Sequence, residues 1–226
     1  PTGRAVRGRV TRSPEHPLAI GPFRRAQDAR SAWEDLSEVD GSIADPESWR
    51  ELVTGTDSAP LRALIDRIEA LATGGAFERA AGLRDRTAIL VRVLSRHQEL
   101  TATAALPELI LVQAGPRRSW AVAVVRHGRL AASGTVPTGA APLPVIDSLR
   151  SGAATVLPDP GPLRGATPAE VRNVHRWIDS APTRIVSIEG AWVLPVRGAH
   201  TLSGWAERAE RAASGVRETG VSRASR

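Results

Sequence analysis

A chain of 226 residues, 42% of them hydrophobic, is long enough for one or two domains with a sizeable core, and it has no apolar run long enough to span a membrane. Cysteine is absent, which excludes disulfides, cysteine–zinc sites and iron–sulfur clusters together. The net charge is +6 and the pI is near 11.3, carried by arginine alone because the chain has no lysine. A nucleic-acid partner and a plainly solvated arginine surface both fit that balance. Methionine and tyrosine are also missing, a sign of a GC-rich coding sequence that says nothing about function. With no methionine at position 1, we expect a piece of a longer or processed product. No secretory signal is visible, and a cytoplasmic location is expected.

Residues 1–57 read as a helical N-terminal segment. Arg4, Arg7, Arg9 and Arg12 stand among Gly, Pro and Thr, and Ala5–Val10 could form a short strand. Arg4, Arg7 and Arg9 are candidate DNA contacts; the frayed edge of a domain is the blander reading. After Ala19-Ile20-Gly21-Pro22-Phe23, the spacing of Ala26, Ala29, Trp33 and Leu36 predicts a helix across Arg25 to Val39. Asp45-Pro46-Glu47 is a helix start, with a side-chain acceptor at the cap, Pro at the first position and an acid in the first turn. Trp49, Leu52 and Val53 form the buried edge of that helix.

Residues 58–100 read as a helical hairpin. Leu61, Leu64, Ile65, Ile68 and Leu71 mark one helical face. Thr73-Gly74-Gly75 breaks the period, because glycine takes left-handed dihedrals cheaply. A second stripe follows at Phe77, Ala80, Ala81, Ile89, Leu90 and Leu94, and so short a connection makes the helices antiparallel neighbours. The small pair Ala80-Ala81 lets two backbones approach closely. The string from Ala76 to Arg86 resembles the UVR motif of the nucleotide-excision-repair proteins UvrB and UvrC, whose Phe-Glu-x-Ala-Ala-x-x-Arg-Asp core stands here as Phe77, Glu78, Ala80, Ala81, Arg84 and Asp85. The resemblance implies that these six residues dock a UvrB-like partner.

Residues 107–202 read as a small α+β domain. Leu109–Val112 is a buried strand, Gly115-Pro116-Arg117-Arg118 a turn and Trp120–Arg126 a second strand. Arg117 and Arg118 are candidate DNA contacts. His127-Gly128 makes a tight hairpin into a third strand, Arg129–Thr135. Pro142–Leu149 is a short helix with Val145, Ile146 and Leu149 inward, followed by a Pro/Gly-rich loop from Leu157 to Gly165. Thr167-Pro168-Ala169-Glu170 is a capping box that opens a helix through Val171, Val174, Trp177 and Ile178. Arg184–Ile188 and Ala191–Leu194 are expected to pair as a hairpin across Glu189-Gly190. Residues 203–226 are read as a basic tail: a helix over Trp205–Ala213, then an Arg/Ser/Gly-rich stretch expected to be disordered. The fold class is therefore α+β, with N-terminal helices and a helical hairpin first, then a small, mostly antiparallel sheet with one or two helices.

Beyond the hairpin, the Gly21-Pro22-Phe23 turn with its Ala-rich helix resembles the segment that follows the GIY-YIG nuclease domain of UvrC. Val124–Leu130 resembles the strands after the UVR motif there. About 60 residues after the strands cannot hold an RNase H fold, and no strand presents the spaced acids such a site needs. The chain thus looks like the C-terminal part of UvrC-like proteins fused to a DEDDh (DnaQ-like) 3′–5′ exonuclease in high-GC bacteria. In that family the nuclease sites lie upstream, so no catalytic, cofactor-binding or metal-binding residue is assigned here, and the expected partners are a UvrB-like protein and DNA.

The five histidines, His16, His97, His127, His175 and His200, have no partner at ligand spacing and read as surface or turn residues. Each of the six tryptophans sits on an apolar stripe, so each reads as core before it reads as a base-stacking platform. Two hypotheses remain: a docking and DNA-holding region of a DNA-repair nuclease, or a stand-alone interaction or dimerisation module with no DNA role.

Overall fold

The computed structural model describes residue 16 and residues 18–223, with side chains as far as residue 214. The expected α+β class holds: the described residues form seven α-helices and one four-stranded antiparallel sheet, and four of the helices precede the first strand. The described chain divides into two compact units, one made of Ile20–Gln98 and 195–223, the other of Glu99–Leu194.

The first unit begins with α1 (Ala26–Val39), a single 3-10 turn at Gly41–Ala44 and α2 (Pro46–Thr54). Asp45 caps α2 as its sequence requires: the N–H groups of Glu47 and Ser48 donate to its Oδ2 at 2.9 and 3.1 Å. Gly55, at φ 80°, ends the helix in the left-handed conformation that glycine adopts without strain. The hairpin follows as α3 (Ala59–Thr73) and α4 (Phe77–Ala104), with the expected glycine break between them. Leu36, Ile43, Leu52, Leu61, Leu64, Leu90, Val91 and Leu94 form one buried cluster with Trp49 and Trp205 against it. Burying each such leucine stabilises the fold by about 2 kcal/mol.

Two expectations fail in this unit. Phe77 does not sit in the hairpin seam; it is 70% exposed, and the inward stripe of α4 starts at Ala80 and Leu83. Phe77 is the first residue of α4, and helical side chains lean toward the N-terminus, so its ring points off the end of the hairpin. The helix expected over Trp205–Ala213 is also longer: α7 runs over Ser203–Arg223, where composition predicted a disordered tail. Its anchor is the buried stripe Ala206, Ala209 and Ala213.

In the second unit β1 (Glu108–Ala114), β2 (Trp120–Arg126), β3 (Arg129–Val136) and β4 (Thr183–Glu189) form a sheet in the order β3-β2-β1-β4. The alternation of a strand sends its residues to two faces, and over the central strands β1 and β2 both faces are covered, while Ile185, Val186 and Ile188 of β4 stay exposed. Ile110, Val112, Val122, Val124 and Val136 pack with Ile146 of α5 (Pro142–Ser151). Leu109, Leu111 and Val125 pack with Val174 of α6 (Pro168–Ser180). The capping box of α6 is complete: the Glu170 N–H donates to Thr167 Oγ1 at 3.2 Å and the Thr167 N–H to Glu170 Oε2 at 2.7 Å. At the β2–β3 turn His127 and Gly128 take φ 48° and 74°, and a Cβ on Gly128 would come within 2.8 Å of Val171 Cγ2.

The expected hairpin between Arg184–Ile188 and Ala191–Leu194 does not form. β4 pairs antiparallel with the free edge of β1, Leu109 opposite Ile188 and Leu111 opposite Ile185, with a register shift between Ile110 and Leu111. Residues 191–194 form no strand. Trp192 instead joins the cluster beneath the sheet and meets His175 edge-on, ring centroids 6.3 Å apart.

Candidate nucleic-acid interface

The six residues expected to dock a partner all stand in the first turns of α4, and one of them, Ala80, is packed inside. Phe77 and Glu78 are exposed, Ala80 is buried and Ala81 is half-buried. Arg84 and Asp85 are engaged with each other, Arg84 Nε and Nη2 donating to Asp85 Oδ1 at 3.0 and 2.7 Å. A cleft of about 320 Å³ lies nearby, lined by charges of both signs, among them Asp35, Glu38, Arg67, Glu78, Arg79 and Arg86. Arg86 is committed to Asp35 through two hydrogen bonds of 2.7 and 2.9 Å, and that bond raises its pKa against the cost of burial. A lining so evenly mixed does not select an anion.

The second group of candidates stands at one end of the sheet. Arg117 and Arg118 lie in the loop from β1 to β2, both exposed, at φ 54° and 60°. Left-handed backbone costs an L-residue about 1–2 kcal/mol, and a local frame holds it here. The Gly115 N–H donates to the Ser119 carbonyl at 2.8 Å, and the Ser119 hydroxyl to the Pro116 carbonyl at 2.7 Å. The Thr138 hydroxyl, from the loop after β3, donates to the Arg117 carbonyl. Arg4, Arg7 and Arg9 lie outside the described residues.

Arg184 belongs to the same end and was not among the candidates the sequence singled out. It is exposed on β4, and its Cζ lies 5.5 Å from the centroid of the Trp120 ring, a cation–π contact. Trp120 pairs with Ala114 of β1, whose methyl leaves the guanidinium room to cross β1. No local signal joins Arg184 to Trp120, because the contact exists only once β4 pairs with β1. Among the described residues, none of Arg117, Arg118 and Arg184 forms an ion pair with a carboxylate.

Two histidines are more enclosed than expected. His97 is 3% exposed, and burial pushes its pKa down to about 4, opposed by a hydrogen bond with the Gly21 backbone. His175 is half-buried, with Nε2 2.7 Å from Thr103 Oγ1, and burial lowers its pKa too. His97 follows Leu94 by three residues, so the helical period already placed it on the inward face. Among the described residues no three His, Asp or Glu side chains are grouped so as to hold a metal ion, and no helix is long and apolar enough to cross a membrane.

The chain is 41% identical over 166 residues to a protein of Mycobacterium tuberculosis (strain CDC 1551 / Oshkosh) named a bifunctional exonuclease/endonuclease. The match covers 71% of this chain and 26% of the relative, so the chain spans about a quarter of that protein's length. No protein-family model matches the chain, and no solved structure matches it. These findings overturn the UvrC-like assignment. No model matches at the hairpin or elsewhere, and the relative is named for exonuclease and endonuclease, not for UvrC, GIY-YIG or a UVR motif. The structure accounts for the string locally: Ala80 is a packing residue, Arg84 and Asp85 satisfy each other, and Phe77 projects from the helix end. The UvrB-like partner inferred from that resemblance goes with it. What stands is likeness to a nuclease-named protein, compatible with a DNA-related role.

Proposed function

We propose that this chain is a non-catalytic, DNA-holding region of a protein of the exonuclease/endonuclease kind. The observation that carries the reading is the identity, over most of the chain, with the mycobacterial protein of that name. The arginines at the end of the sheet, none of them in an ion pair among the described residues, support it, since guanidinium forks suit phosphate oxygens and their attraction is lost with salt. On this reading the nuclease chemistry is carried by other parts of the parent protein, and the site of action is the cytoplasm, where bacterial DNA lies. The test is the anisotropy of a fluorescein-labelled DNA titrated with the full chain at several salt concentrations. Affinity that falls steeply between about 50 and 200 mM salt supports the reading. Absence of binding at the lower salt sinks it.

A second reading has one observation of its own, the exposed ring of Phe77 at the hairpin tip. A lone exposed aromatic on a rigid helical hairpin fits a protein-docking point, with Glu78 beside it, and self-association is the simplest form. Sedimentation of the full chain and of Phe77→Ser over a range of concentrations decides it. A dimer that the substitution removes supports docking; a wild-type chain that stays monomeric excludes the self-docking form.

A further inference from the structure

We propose that the end of the sheet bearing Arg117, Arg118, Arg184 and Trp120 grips the phosphate backbone of single-stranded DNA. The proposal rests on the DNA-holding reading and names the place and the form of the nucleic acid.

Topology brings these residues together. β1 ends at Ala114 and β2 begins at Trp120, and the two are partners in the ladder. On the other side of β2, Trp120 pairs with Val136; on the other side of β1, Gln113 pairs with Thr183, the residue before Arg184. The loop carrying Arg117 and Arg118 closes this end, and the Thr138 hydroxyl ties the loop after β3 to it. The three segments that meet here, residues 114–120, 136–141 and 181–184, contain three arginines and no Asp or Glu. A rim of one sign with no internal neutralisation attracts a polyanion.

The cations are also prepared for binding. Arg184 lies against the indole, so part of its side-chain freedom is already lost before a ligand arrives. Glycine would hold positions 117 and 118 without backbone strain, so what arginine contributes there is its guanidinium and not the turn. A guanidinium spread over an indole offers a flat surface on which any unpaired base can stack. A duplex hides those base faces. Among the described residues, two short loops and a strand start form this end, and neither the length of a helix nor a two-stranded ribbon projects from it toward a major groove.

The experiment uses the full chain and a fluorescein-labelled oligothymidine of about 12 nucleotides, with a duplex of the same length as competitor. Wild type is compared with Arg184→Gln, with the double variant Arg117→Gly/Arg118→Gly, and with Arg62→Gln on α3 as a charge control. Each lost phosphate contact lowers the slope of log affinity against log salt by about 0.7. The double variant should lose about tenfold in affinity and the larger part of the slope, Arg184→Gln less, and Arg62→Gln little. Thermal melting separates binding from folding: the glycines relieve left-handed strain, so the double variant should melt no lower than wild type. If it does melt lower, Arg184→Gln alone decides. Wild-type binding with rim variants indistinguishable from Arg62→Gln overturns the rim and leaves the DNA-holding reading standing. No binding by wild type overturns both. A duplex that binds more tightly than the single strand, with the same losses in the rim variants, overturns the single-strand assignment.

Discussion

The Glu108 carboxylate on β1 accepts two hydrogen bonds on Oε2 from the Arg126 guanidinium on β2, from Nε at 3.0 Å and from Nη2 at 2.8 Å. The Glu108 side chain is only 7% exposed. Arg150 Nε stands 2.6 Å from the other oxygen, and Arg126 Nη1 donates to the carbonyls of Ala153 and Ala154 at 3.2 Å. One carboxylate thereby ties the central strands to the C-terminal end of α5. A buried charge stripped of its partner costs far more than a pair removed whole. Glu108→Ala, which leaves the Arg126 guanidinium without its carboxylate, should destabilise the chain by about 3 kcal/mol in urea denaturation, and Arg126→Ala should cost less, because Arg150 still stands beside the Glu108 carboxylate. The double variant Glu108→Ala/Arg126→Ala should cost less than the sum of the two single variants; additive losses would show that the groups act independently.

His97 gives the stability a pH dependence. Its pKa of about 4 in the folded chain, against 6.5 ordinarily, means that the unfolded chain binds a proton the folded chain refuses. The contribution is full above pH 6.5 and is lost as the pH falls toward 4, amounting to about 3 kcal/mol. His175 is shifted in the same direction and adds to the slope. Urea midpoints of wild type and His97→Gln, measured from pH 7.5 to 4.5, check this. The difference between them should shrink or reverse as the pH falls, and a constant difference would mean that His97 protonates freely in the folded state.

Gln98 is a buried amide that uses both of its ends. Its Nε2 donates to the Leu52 carbonyl at 3.1 Å, near the end of α2, and its Oε1 accepts from the Ala199 N–H at 2.9 Å. Gln98→Leu keeps the bulk but leaves those backbone groups without the amide, at a cost of about 2–3 kcal/mol. Gln98→Glu should be worse, since it sets a carboxylate against carbonyl oxygens. Chemical denaturation ranks the three; a Glu variant as stable as wild type would refute the assigned amide orientation.

At the hairpin, exposure and burial predict opposite outcomes for neighbouring apolar residues. Phe77→Ser should leave stability within about 0.5 kcal/mol, because the ring touches solvent and little else. Leu83→Ala, inside the hairpin core, should cost about 2–5 kcal/mol. Equal losses at the two positions would restore Phe77 to the seam in which its spacing first placed it.

What was legible in the sequence was local. The caps of Asp45 and of Thr167 with Glu170, the glycine break after Thr73 and both limits of β2 follow from side chains acting within a few residues of themselves. What was hidden depends on distant partners or on where an element stops. Ala191–Leu194 is a plausible neighbour for β4, yet the unfilled edge of β1 takes that place, and with it Arg184 reaches Trp120. Phe77 has the right period but stands at the first residue of its helix, with nothing beyond to cover it. The hairpin string matched a motif in letters only, and the burial of Ala80 and the Arg84–Asp85 bond account for it without a partner.

The most direct measurement is amide hydrogen exchange of the full chain, by mass spectrometry, with and without a single-stranded oligonucleotide. Exchange should slow in the peptides covering Gly115–Trp120 and Thr183–Ile188 when DNA is present, with no change at the hairpin tip around Phe77. Protection confined to the hairpin, or no protection anywhere under conditions where DNA is bound, would contradict this expectation.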